Sequence, residues 1–125
     1  MKDETYNGWS SYETWVTKLW MDNDEGSYNF WNEVTQEIVD EAFSDEDDRE
    51  EALNNAKYEL SNRLESYHDE FMPETSGVFA DLLNHALARV EWREIAQALL
   101  DDAEIPEATE AEQDYREVNF PMGPQ

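Results

Sequence analysis

The sequence predicts an all-α protein: a single compact domain of four or five helices with a long acidic third helix. Three observations carry this. Apolar residues recur every three or four positions through most of the chain as far as Leu100. Ser or Thr stands before most of these runs, where a helix needs a side-chain acceptor for its first N–H groups. No run alternates apolar and polar residues as a half-buried strand would, and neither an internal repeat nor a heptad seam is present.

In chain order, a polar lead-in ends at Asn7-Gly8, a pair that favours a turn. Ser10 and Glu13 have capping-box spacing and predict a first helix from about Ser11 to Met21. Its stripe of Tyr12, Trp15 and Leu19, flanked by Val16 and Trp20, is expected to face the core. The stretch Asp22-Asn23-Asp24-Glu25-Gly26 breaks it, with Gly26 in a turn, and Ser27 caps a second helix to about Phe43 through Phe30, Trp31, Val34 and Ile38. Ser44 before Asp45-Glu46-Asp47-Asp48 reads as the next N-cap, with four negative charges where the helix dipole favours them. The third helix then extends to Phe71, and Pro73 ends it.

Thr75 or Ser76 caps a fourth helix through Val78, Phe79, Leu82, Leu83, Leu87 and Val90. As the most apolar part of the chain, it is expected to be the central, most buried helix. Trp15, Leu19, Phe30 and Trp31 form the aromatic knot on which it would pack, and Trp9 is left as a staple or an exposed contact. From Trp92 the pattern Ile95, Ala96, Leu99, Leu100 continues the same helix, or starts a fifth after a kink near Glu91. Pro106 closes the helical domain at 1–106. Residues 107–125 read as a weakly ordered acidic tail with Tyr115, Val118 and Phe120 as docking points.

Charge limits the partners. Thirty-two acids against eight bases give a net charge of −24, which disfavours direct contact with nucleic acid or an anionic membrane and favours a basic partner. Cysteine is absent, so disulfides, thiolate metal sites and cysteine nucleophiles are excluded, in keeping with a reducing cytoplasm. No stretch approaches the roughly 20 apolar residues of a membrane span, and the N-terminus lacks the layout of a signal peptide. The expected location is the cytoplasm, with a homodimer left open.

Catalytic and metal signals are weak. Glu65 and His68 have the Glu-x-x-His spacing of a carboxylate-bridged di-metal bundle, but a second copy is missing because Leu82 stands where His85 would need its acid. Asp81 and His85 lie one helical turn apart, an arrangement more often structural than catalytic. Asp22, Asp24, Gly26 and Glu33 fit a calcium loop in part, with Ser27 where glycine is required. No catalytic residue, metal site or cofactor is therefore expected. The stronger candidates are the acids Asp45, Glu46, Asp47, Asp48, Glu50, Glu51, Glu59, Glu65, Asp69 and Glu70, with Trp9 as an aromatic contact. On a third helix of about 40 Å, at about 1.5 Å per residue, the acids would recur about every 4 Å, close to the ~3.4 Å rise per phosphate of a DNA strand.

Tyr6-Asn7-Gly8-Trp9-Ser10-Ser11-Tyr12-Glu13-Thr14-Trp15 with Leu19-Trp20 and Asn23-Asp24-Glu25-Gly26 after it, then Phe79-Ala80-Asp81-Leu82-Leu83-Asn84 and Val90-Glu91-Trp92-Arg93-Glu94-Ile95-Ala96, resemble two blocks of a family of small acidic proteins carried by phages, plasmids and other mobile elements. The resemblance covers about a third of the chain, carries no catalytic residues and leaves the acidic middle outside. In charge the chain is similar to phage DNA mimics. Together these imply an inhibitor of host defence, anti-CRISPR or anti-restriction, that would block the basic nucleic-acid channel of a CRISPR effector or restriction enzyme. The alternative is a non-enzymatic adaptor that binds through exposed aromatics.

Overall fold

The computed structural model describes residues 5–106, and its helices follow from their caps. Ser11 is the N-cap of α1 (Tyr12–Asn23), its hydroxyl accepting from the Thr14 N–H at 3.1 Å. Asp24 alone separates α1 from α2 (Glu25–Asp45): its N–H closes α1 on the Trp20 carbonyl, and its carboxylate accepts from the Ser27 N–H at 2.9 Å to open α2. Asp48 opens α3 (Arg49–Glu70) by accepting from Glu51 N–H. Ser76 precedes α4 (Gly77–Ala88), and Glu91 precedes α5 (Trp92–Asp102). Among these residues no strand forms beyond one isolated bridge between Tyr6 and Trp9.

All-α architecture is thus observed, with five helices, while several boundaries move. Ser10 yields the first cap to Ser11, whose hydroxyl accepts from Thr14 N–H while that of Ser10 is bonded to Glu94, and Ser27 yields the second to Asp24, whose carboxylate accepts from the Ser27 N–H three residues on. Gly26 lies within α2 rather than in a turn. Ser44 caps nothing: α2 runs past it to Asp45, and Glu46–Asp48 link α2 to α3. Asp45, Glu46, Asp47 and Asp48 therefore sit at the tip of a helical hairpin and not along α3.

The hairpin α2–α3 and the pair α3–α5 have the most extensive contacts, so α3 lies between α2 and α5, with α1 against α2 and α5. Small residues permit this: Ala52 and Ala56 on α3 and Ala96 on α5 are fully buried beside Leu60, Leu64 and Ile95. Trp31, Val34, Ile38 and Val39 of α2, Leu99 and Leu100 of α5, Met21 and Val90 complete the core.

The largest departure concerns α4. It contains no buried residue and packs extensively on no other helix; Val78, Phe79 and Leu82 are 62%, 70% and 60% exposed. The central place belongs to α5. Total apolar content measures only the tendency to leave water, whereas packing between helices needs a one-sided stripe, which Ile95, Ala96, Leu99 and Leu100 supply. The expected knot also divides. Trp31 is buried at 3% exposure against α3, while Leu19, Phe30 and Trp20 face outward, Trp20 at 71%.

Candidate acidic surface and the N-terminal latch

Eight acids and one base occupy positions 40–51, around the hairpin tip. Asp40, Glu41, Asp45, Asp47, Asp48, Glu50 and Glu51 are exposed, and Glu46 is half-buried. Two carboxylates serve the backbone: Glu46 accepts from Asp48 N–H at 3.1 Å, and Asp48 caps α3. The single cation, Arg49, is engaged elsewhere. It lies 5.9 Å over the Phe43 ring and donates to the Pro106 carbonyl. Behind the tip a cleft of about 320 Å³ opens between α2 and α3, lined by Glu41, Asp45, Glu46, Asn55 and Glu59 around Ile38 and Ala42.

The other acids named from sequence fall into a second group. Glu65, Asp69 and Glu70 are exposed at the far end of α3, and Glu59 pairs with Arg63 at 3.5 Å. Positions 52–64 hold that one acid against Lys57 and Arg63, so Glu51 and Glu65 are about 21 Å apart along the axis with little negative charge between them. The structure presents two acidic poles in place of a continuous row.

Of the weaker candidates, His68 is held structurally. Its Nδ1 lies 2.9 Å from the Leu64 carbonyl, and its ring stacks on Trp92 at 4.9 Å and Trp31 at 6.3 Å. Asp22 pairs with Lys18 at 2.8 Å and Asp24 caps α2, so the partial calcium loop is helical. Among the described residues no three His, Cys, Asp or Glu side chains gather as a metal site would require.

Sequence reasoning left the contact between the two recognisable blocks unnoticed. Asn7 and Gly8, at φ 50° and 88°, make the primed turn that pairs Tyr6 with Trp9. Tyr6 then rests on Tyr12 and Trp15 at 5.2 and 4.9 Å, and Trp9 is half-buried against the core rather than an exposed contact. Ser10 donates its N–H and hydroxyl to Glu94, the latter at 2.7 Å. Ser11 donates to the Arg89 carbonyl, Thr14 accepts from Glu91 N–H, and Glu13 pairs with Arg89. These bonds fasten the start of α1 to the α4–α5 connection. Donors and acceptors at sequence separations of 76 to 84 leave no periodic trace, which is why no pattern exposed them.

A second exposed feature is Trp20, which with Val16, Met21, Trp31, Tyr67 and His68 lines a groove of about 460 Å³. No helix is long and apolar enough to cross a membrane among the described residues. The tail predicted at 107–125, with Tyr115, Val118 and Phe120, lies outside them.

Residues 2–115 match a family of unknown function (DUF7249), and the chain belongs to that family. No curated protein and no solved structure matches the chain.

Proposed function

We propose that this DUF7249 chain acts without chemistry of its own, as an acidic blocker that seats on the basic nucleic-acid-binding surface of another protein. The observation that carries the reading is the hairpin tip, where eight acids meet one cation that is engaged elsewhere. Such a concentration of uncompensated charge attracts a basic channel over about a Debye length, ~10 Å at 0.1 M salt. Resemblance to proteins of phages and plasmids favours a CRISPR effector or restriction enzyme as the partner, met in the cytoplasm of a bacterial host. The two poles about 21 Å apart suit two separate basic patches better than the track of one phosphate strand.

The test is retrieval of the partner from a bacterial lysate, followed by competition with DNA using the purified pair. The variant D45N/E46Q/D47N/E50Q/E51Q keeps the Asp48 cap. It is expected to bind more weakly and with a flatter salt dependence; unchanged binding would overturn the reading.

A second reading, an adaptor that binds through exposed aromatics, is favoured by Trp20 at 71% exposure beside its groove. It predicts binding that survives salt and is lost in Trp20→Ala.

A further inference from the structure

We infer that the outer face of α4 is a self-association surface, on which two copies of the chain pair antiparallel about a two-fold axis beside Leu83. Val78, Leu82 and His85 share one stripe by their spacing of four and three, with Phe79 and Ala86 adjoining it. Val78, Phe79 and Leu82 are all at least 60% exposed on a helix without a buried residue. Three large neighbouring apolar side chains left in water on one helix are what an interface provides for.

Charge selects the occupant. A second copy is a poor partner for most of a chain of net charge −24, since nearly every approach brings acid against acid. Positions 75–90 avoid this, with one acid, Asp81, and one base, Arg89, and unlike the similarly balanced stretches 5–21 and 52–64 they carry their exposed apolar residues on a helix without a buried residue. The Trp20 groove lacks this neutrality, because Asp24 lines it, with Asp22 and Glu25 close by in sequence. Antiparallel pairing also supplies complementarity. Asp81 and His85 lie one turn apart on the same flank, and a two-fold axis beside Leu83 sets Asp81 of one copy against His85 of the other, twice. Every contact in such an isologous interface is made in duplicate. One pair of short helices buries less than the ~1,200 Å² of a standard interface, so the dimer is a weak, concentration-dependent one.

Sedimentation of the full chain over roughly a hundredfold range of concentration tests this. The expected result is a monomer passing to a dimer, with more dimer at higher salt because salt screens the repulsion between the two acidic bodies. The variant F79E/L82E removes two exposed apolar residues per copy and adds charge, and should weaken association by at least about a hundredfold with helix content unchanged by circular dichroism. His85→Asp sets acid against acid and should weaken the dimer, and D81R/H85D should restore it. A chain that stays monomeric throughout, or a dimer indifferent to F79E/L82E, overturns the inference. So does a dimer that F79E/L82E disrupts but the D81R/H85D pair fails to restore, because the antiparallel register is then wrong. A different protein captured on α4 by a monomeric chain would also overturn it.

Discussion

Replacing Thr14 with Val tests whether the N-terminal block is a structural latch. Thr14 is fully buried, and valine matches its shape, so packing is preserved and only the hydroxyl is lost. That hydroxyl accepts from Glu91 N–H at 2.8 Å and lies 2.8 Å from the Ser11 hydroxyl. The Arg89 carbonyl lies 2.9 Å from the Ser11 hydroxyl and 3.5 Å from that of Thr14, so the two hydroxyls and the carbonyl form one network that valine opens. The variant therefore loses two hydrogen bonds of about 1 kcal/mol each and leaves the Glu91 N–H without its acceptor, a further ~1 kcal/mol or more. A destabilisation of about 3 kcal/mol follows, against a total stability of ~5–15 kcal/mol for a domain. In urea, with a slope of ~1–3 kcal/mol per molar, the midpoint should fall by about 1–3 M with the slope unchanged. Partner binding by the folded fraction should stay at the parent level. A midpoint shift equivalent to less than ~0.5 kcal/mol, the usual range of surface changes, would refute the latch.

Three further outcomes are expected. Trp31→Ala should cost about 3–5 kcal/mol in the same urea titration, whereas Trp20→Ala should stay within ~0.5 kcal/mol; equal losses would contradict their assigned burial. Glu94→Ala combined with Ser10→Ala should lose less than the sum of the two single changes, because each removes the bond from the Ser10 hydroxyl to Glu94, and a double-mutant cycle reads the difference. Neutralising the hairpin tip as D45N/E46Q/D47N should raise the thermal midpoint at low salt by relieving repulsion, and the gain should shrink as salt is added.

Helix number and composition were legible because periodicity and capping are local: the stripes of α2, α3 and α5 reach the core as their spacing predicts. Boundaries were less so. Ser10, Ser27 and Ser44 each have a competitor nearby, and the choice at Asp24 and Asp48 depends on which side chain meets a free N–H. The mistaken placement of α4 has a different origin. Its sequence is rich in Leu and Ala, but burial depends on which other helix offers a matching face, a property of the whole assembly. For the acids, composition showed their abundance, while their separation into two poles follows from where α2 ends and from the nearly neutral stretch 52–64.

The acidic tip lies at the start of α3, whose 22 residues span about 33 Å; at its other end Glu65 and Asp69 line a cleft with Asn84, Leu87 and Ala88 of α4, residues that the helical spacing sets apart from Val78, Phe79 and Leu82. Substitutions that far apart, without shared contacts, are expected to act additively. Salt should also move the two events in opposite directions, weakening attachment of a basic partner and strengthening pairing of two acidic copies. These signs separate the proposals in one experiment. In F79E/L82E the partner affinity per chain should equal that of the parent, and only the enhancement gained by a two-headed dimer on a partner immobilised at high density should vanish. Loss of the intrinsic affinity in that variant would mean that α4 itself contacts the partner, and the separation of the blocking surface from the pairing surface would be wrong.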